Sequence, residues 1–412
     1  MSAVLSYKFP PILSGGGGLR ANAEKFQSTL PLNGAIFRSD QSQSIIFNIA
    51  DNSQFLRTTM SYLAGTIVPK AADGSEATAG TKSSFQGVTR AFSRMQIRFG
   101  GIVVEDINFY NDVLALHYAT LPQTRKHVLA SLEGFGNVDA FSTGKKKFAH
   151  ALLSSLWVTD QSLPLPLLSS GGVTIELWLA PVQELFTSAN VAYYEIQSPV
   201  FRWQGLTPSP DYTISLRSAV SSGRSAYIHY QKLHFNHGAG NGSNTQQIQV
   251  PLGQISSLAS IETVFWDDTA YADRTKDKYS RFHNAKLVDF KIENGSGNAQ
   301  PSQLTFQYQG GVDPETVLLG LMTNSGNIYT MDRDVYMESD FQETSFRIGM
   351  NFQSMNEYAG NGLSLLGAAS PFVTITTNHS APVAPTTRIM TISTVDALIE
   401  FRGAEVAISE IF

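Results

Sequence analysis

Three histidines cluster in the stretch "HYQKLHFNHG": His229, His234 and His237. Zinc takes three or four nitrogen or sulfur ligands that converge tetrahedrally. On a strand, His229 and His234 have opposite parity and face opposite sides. With no glutamate close by to serve as general base, the segment reads as polar residues at a strand-to-loop boundary. The acidic stretch "WDDTAYADRTKDKY" brings Asp267, Asp268, Asp273 and Asp277 together. Calcium needs oxygens at set spacing, and neither the loop glycine nor the terminal glutamate of an EF-hand is in register. Arg274, Lys276 and Lys278 stand among the carboxylates, so a solvated, ion-paired loop is expected, with a cation bridging subunits as the alternative. The adjacent Glu105 and Asp106 suggest acid–base chemistry, but paired glycosidase carboxylates usually lie far apart in sequence. Asp106 also has a simpler expected role as a helix cap. Gly15–Gly18 lack both a preceding strand and the Lys-Ser/Thr of a phosphate cradle, and read as a hinge. No nucleophile elbow and no dinucleotide fingerprint occurs. No catalytic residue, cofactor site or metal site is expected, and the chain is not expected to be an enzyme.

Composition narrows the class. The 412 residues are 42% hydrophobic but only 15% charged, with a formal net charge of −5, against about 25% charged in ordinary soluble domains. A β-rich chain with long loops would look like this; so would one whose surface is covered by neighbouring subunits, because interface cores are depleted in charge. Phosphate-driven nucleic-acid binding requires a dense basic patch, and no basic run exceeds Lys145-Lys146-Lys147. The absence of cysteine removes disulfides and thiolate chemistry together, and suits synthesis in a reducing cytoplasm. The opening "MSAVLSYKFPPILSGGGG" lacks the charged and apolar regions of a signal peptide. The sequons at Asn241, Asn294 and Asn378 therefore read as ordinary loop residues.

The elements are mostly strands. In "SSGGVTIELWLAP", Val173, Ile175, Leu177 and Leu179 alternate with Thr174, Glu176, Trp178 and Ala180, which predicts a half-buried strand between a Gly-Gly turn and a proline stop. Other strands are predicted at 44–50, 60–69, 91–107 with a turn at Gly100-Gly101, 148–160 and 192–203. Ile107, Tyr110, Leu114, Tyr118 and Leu121 share a helical spacing up to Pro122, with Asp106 as cap, and a second helix is predicted over 124–133. Ser209-Pro210 opens a linker helix that Gly223 stops. The same order then begins again, with strands at 225–235, 245–252, 260–266 and 285–295. A helix is predicted at Asp313-Pro314-Glu315, then strands at 344–352, 371–378 and 387–408, the last breaking near Asp396 and turning at Gly403. Residues 1–35 read as an arm in which "RANAEKFQSTL" forms a short helix on contact with a partner.

Both halves thus run strands, helix, strands, without a residue-level repeat. Strands with no helical crossovers pair mostly antiparallel and close into sandwiches or barrels. The expectation is an all-β fold with a few inserted helices: two tandem jelly-roll β-sandwiches. The divisions are an arm at 1–35, a first roll at 36–204, a helical linker at 205–224 and a second roll at 225–412.

Four stretches carry a resemblance: "FSRMQIRFGGIVVEDINFYNDV"; "LPLPLLSSGGVTIELWLAPVQELF" with "AYYEIQSPVF"; "SAYIHYQKLHF" through "VFWDD"; and "FRIGMNFQSM" with the final "TISTVDALIEFRGAEVAI". Their order resembles the double jelly-roll major capsid proteins of icosahedral viruses, the lineage joining adenoviruses with tailless, membrane-containing phages. The segment 106–145 departs from the pattern. The resemblance implies a homotrimeric, pseudo-hexagonal capsomer that tiles a virion shell after synthesis in the host cytoplasm. Its implied partners are further copies of itself, penton and minor capsid proteins, and an internal membrane, with no sequence-specific binding of nucleic acid. The arm would face inward, with Lys8, Arg20, Lys25 and Arg38 as its contacts. The rival reading is a carbohydrate-binding or carbohydrate-cleaving two-domain β-protein, such as a lectin or phage depolymerase module. A third is a β-sandwich adhesin.

Overall fold

The structure, a computed structural model, describes residues 7–8, 23–78, 80–84, 87–119, 123–158, 162–168, 171–239, 245–252, 257–267, 287–293, 306–307, 347–352, 363–364, 372–378, 387–403 and 405–410. The chain divides into two compact units. One comprises Met1–Leu114, Val128–Lys232 and Ala397–Ser409; the other comprises Ala115–His127, Leu233–Asp396 and Glu410–Phe412.

The first half supplies β1 (Tyr7–Lys8), β2 (Ala23–Thr29), β3 (Ile36–Arg38), β4 (Ser44–Ile49), β5 (Phe55–Lys70), β6 (Phe92–Phe99), β7 (Ile102–Asn108), β8 (Lys146–Ala151), β9 (Ser162–Pro164), β10 (Val173–Leu179) and β11 (Tyr193–Thr207). The second half supplies β12 (Ala226–Ala239), β13 (Thr245–Pro251), β14 (Ser257–Asp267), β15 (Leu287–Glu293), β16 (Phe306–Gln307), β17 (Arg347–Asn351), β18 (Leu363–Ser364), β19 (Phe372–Asn378), β20 (Thr387–Arg402) and β21 (Glu405–Glu410). Helices α1 (Tyr110–Ala119), α2 (Gln123–Glu133), α3 (Ser155–Val158), α4 (Val182–Leu185) and α5 (Pro210–Ser221) interrupt them.

The strand order exposes an internal duplication. In the first half, one sheet runs β4-β10-β6-β7; the other runs β2-β11-β5-β8, with β3 also on β11 and β9 also on β5. In the second half, one sheet runs β13-β19-β15-β16; the other runs β12-β20-β14-β17, with β18 also on β14. Each strand from β3 to β11 therefore has its counterpart nine places later, with the same neighbours within those nine; β1 adds to β12, and β21 adds to β20. Non-sequential antiparallel neighbours of this kind are the signature of jelly-roll sandwiches. Two copies of one topology are present where the sequence shows only a likeness of order.

β10 illustrates why these residues form these elements. Val173, Ile175 and Leu177 pair in register with Ile49, Phe47 and Ile45 on one side and with Phe99, Ile97 and Met95 on the other, and all nine side chains are buried. A ring contact of 5.9 Å between Phe47 of β4 and Phe201 of β11 joins the two sheets across the core. In the second half Val250, Val373 and Ile375, and on the facing sheet Ile261, Val264, Phe265 and Ile389, are likewise buried.

The predicted hairpin at Gly100-Gly101 is present, both glycines having positive φ. α2 and α5 also lie where expected: the Ser209 side chain accepts from the Tyr212 amide, Pro210 fills the first turn, and Gly223 follows in the left-handed region.

Several expectations need correction. Asp106 does not cap a helix: β7 runs on to Asn108, and the chain turns at Phe109, whose φ is 55°. Its carbonyl accepts from the amides of Asp112 and Val113. Residues 148–160 are not one strand. β8 ends at Ala151, and Ser154 accepts from the Trp157 amide through its hydroxyl at 3.2 Å, which starts the helical turn α3. Within the stretch expected to turn helical on contact with a partner, Ala23–Thr29 forms the strand β2, antiparallel to the end of β11. β20 does not break at Asp396, which is buried inside it, with Ser257 donating to its carboxylate at 3.4 Å. Phe92 is buried along with Met95, although the two stand three residues apart in β6, because a bulge at Trp178/Leu179 shifts the register. The helix expected from Asp313 lies outside the described residues.

Candidate functional site

The chemically suggestive residues do not converge. His229, His234 and His237 all lie along β12, and among the described residues no three His, Asp or Glu side chains approach a metal-binding grouping. His237 is pushed down to about 4, chiefly by burial and then by the charge of Arg388. Asp267 closes β14; Asp268, Asp273 and Asp277 lie outside the described residues, as do Gly15–Gly18. Glu105 is buried in β7 while Asp106, next to it, faces the other way. The two carboxylates are therefore split between the interior and the outer face of one strand.

Two buried polar clusters hold the first unit together. Arg90 is fully buried; its guanidinium donates to the Asn111 carbonyl at 2.8 Å, to Asp112 at 2.9 and 3.0 Å, and to Glu184 at 2.9 Å. It ties the segment before β6 to the start of α1 and to α4. In the second cluster, His150 Nδ1 lies 2.9 Å from Glu133 and its Nε2 lies 3.5 Å from the Tyr110 hydroxyl. That hydroxyl accepts from the Leu153 amide, and burial raises the Tyr110 pKa above its ordinary value. Arg90, Asp112, Glu133, His150 and Tyr110 are buried, while the Glu184 side chain keeps 14% of its surface exposed.

The outer face of the sheet β4-β10-β6-β7 carries a continuous polar belt. Ser44 donates to Glu176, Arg98 donates to Glu176 and Gln96, Gln96 donates to Asp106, and Arg94 forms a forked pair with Asp106 at 2.5 and 2.8 Å. Burial would raise the Asp106 pKa, but the hydrogen bonds from Arg94 and Gln96, with the charges of Arg94 and Arg98, outweigh it and leave the carboxyl below its usual range. Trp178 lies on this face as expected, its ring carrying the Arg94 guanidinium at 4.6 Å.

The three of the four arm residues that the structure describes stand on three different strands. Lys8 stands in β1, opposite Tyr227 in a parallel pairing with β12, and Arg20 lies outside the described residues. Lys25 is exposed on β2. Arg38 is tied to Asp40 at 2.7 Å and stacks over Tyr193; its pKa is raised, chiefly by the hydrogen bond to Asp40. Sequence reasoning passed over the apolar residues between them. Phe26, Leu30, Leu32 and Ile36 are all exposed, as are Ile102, Val103 and Phe109 around β7. The available signal was an uncharged run from Phe26 to Ile36 in a segment read as a solvated arm.

The described residues thus build two copies of one jelly-roll topology. No family model matches the chain, and no curated protein matches it. Solved structures do. The PBCV-1 virus capsid is similar at 11% identity over 97% of this chain and 99% of that one, with a TM-score of 0.67. The Faustovirus major capsid protein is similar at 8% identity over 94% and 92%, with a TM-score of 0.63. The mavirus major capsid protein follows at 10% identity over 97% and 92%, with a TM-score of 0.52. This chain has the double jelly-roll fold of those viral capsid proteins.

Proposed function

We propose that this chain is a major capsid protein that forms homotrimeric, pseudo-hexagonal capsomers and tiles an icosahedral shell. The observation carrying this reading is the nine-strand duplication: three copies of a two-roll chain supply six like-folded lobes, which suits a hexagonal lattice. Likeness to viral capsid proteins over nearly the whole of both chains supports it. The low charged fraction of 15% suits flanks hidden by neighbours. The chain works without catalysis, in the virion, after synthesis in the host cytoplasm. Its arm (1–35), first roll (36–204), linker (205–224) and second roll (225–412) act as separate parts. Lys8, Arg20, Lys25 and Arg38 meet the inner side, and pentons, minor proteins and an internal membrane are the remaining contacts.

Light scattering on the purified chain tests this reading. Stable trimers, or particles built from them, are expected. A persistent monomer that binds or cleaves a glycan would replace this reading with the carbohydrate one.

A further inference from the structure

A six-lobed ring of two-roll chains alternates first and second rolls, so every junction in it joins a first roll to a second one. Half of these junctions lie inside chains and half lie between them. Because the lobes share one topology, the junction inside a chain is a template for the junction between chains.

The inside junction is carried by second-half strands that belong to the first unit. That unit takes in the start of β12, as far as Lys232, and the end of β20 from Ala397. Here the Tyr230 hydroxyl donates to the Val104 carbonyl of β7 at 2.9 Å, and β1 pairs with β12 at Ala226 and Tyr227. No residue of β12 from Ala226 to Lys232 is exposed, and Ala397, Ile399 and Phe401 of β20 are buried.

The first-half counterparts of β12 and β20 are β3 and β11. β11 likewise runs on past β3, and from Phe201 to Thr207 it is paired by β2. On this side the surface is open. Phe26 of β2, Leu30 and Leu32 just beyond it, and Ile36 of β3 are 57–71% exposed, in a run from 26 to 36 without one charged residue. At ~150–250 Å² for a large side chain, this patch exposes on the order of 500 Å², more than half of the ~800 Å² per partner in a stable interface. The start of β12 is covered from within its own chain, whereas the patch around its counterpart β3 is bare.

We propose that the β2–β3 patch of one copy docks on the β16 edge of the second roll in the next copy, repeating between chains the β12–β7 junction found within one. β16 is the counterpart of β7, and each is the outer strand of its sheet. The proposal rests on the capsomer reading and names the surfaces that build it. The two surfaces are unlike, as a closed threefold ring requires. An uncharged patch offers nothing to a nucleic acid or an acidic lipid surface.

Because the chain has no cysteine, introduced thiols test the contact cleanly. Trimers assembled from equal amounts of Ile36→Cys and Gln307→Cys chains should yield covalent pairs with a short bismaleimide, and a chain carrying both substitutions should yield covalent trimers on a denaturing gel. Ile36→Cys alone should yield no linked chains. Intact trimers without a link between positions 36 and 307 overturn the assignment while leaving the capsomer reading in place; covalent pairs from Ile36→Cys alone put like edges together and overturn it as well. Phe26→Glu with Leu30→Glu is the second test. Both positions are exposed, so the melting transition of the isolated protomer should be kept while trimer formation weakens at least about tenfold, as expected for anchor residues; an unweakened trimer overturns the docking role of the patch. A wild-type chain that is itself monomeric removes the capsomer reading beneath it.

Discussion

Replacing Arg90 by methionine should destabilise the first unit by ~3–5 kcal/mol, the usual loss when one partner of a buried ion cluster is removed. The guanidinium is fully buried, and Asp112 is 1% exposed. The substitution deletes donors at 2.8 Å to Asn111, 2.9 and 3.0 Å to Asp112, and 2.9 Å to Glu184. Two charges about 4 Å apart attract by ~4 kcal/mol at an effective dielectric near 20, so removing the cation strands Asp112 and Glu184 at a cost of that order. In thermal unfolding this corresponds to a fall of roughly 6–20 °C, at ~2–4 °C per kcal/mol. Urea unfolding followed by tryptophan fluorescence measures it directly. Adding Asp112→Asn and Glu184→Gln to Arg90→Met should recover at least half of the loss, since the stranded charges are then gone. A single variant within about 1 kcal/mol of wild type, as an exposed pair would give, refutes the claim that this cluster pins α1 and α4 to the sheet.

Neighbouring residues of β10 should respond very differently: Leu177→Ala should cost ~2–5 kcal/mol as a core cavity, while Trp178→Ala, on the outer face under Arg94, should cost about 1 kcal/mol or less; equal losses in urea titrations would contradict the assigned faces. Gly172→Ala should cost more than the ~1–3 kcal/mol of a strained backbone, because φ is +63° and an added Cβ would also collide with the Ile49 carbonyl; soluble yield and melting temperature would show it. His237 has its pKa lowered from 6.5 to about 4, so between those values the unfolded chain binds a proton that the folded chain does not. Stability of the second unit should therefore fall as pH drops from 6.5 towards 4, and His237→Gln should flatten that slope; an unchanged slope assigns the dependence to other groups.

Local signals were readable where local physics decides the outcome. The alternation of β10, the Gly100-Gly101 turn and the Ser209-Pro210 start of α5 each carry their own cause within a few residues. The misreadings share the opposite property. "AEKFQST" is a strand because the end of β11, from Phe201 to Thr207, offers it a ladder, and strand formation depends on such distant partners. Asp106 looks like a cap until Arg94 and Gln96, on the neighbouring strand, claim its carboxylate. Asp396 looks like a break because a buried aspartate in a strand makes sense only with Ser257 beside it. The apolar edges were missed for a related reason: the exposure of Phe26 or Val103 is a property of where the sheets end, and composition reports only that charge is scarce.

Negative-stain electron microscopy of the concentrated protein tests the capsomer most directly. Rings with six lobes and threefold symmetry, two lobes from each chain, are the predicted result. Isolated two-lobed particles at concentrations where obligate oligomers persist would contradict it.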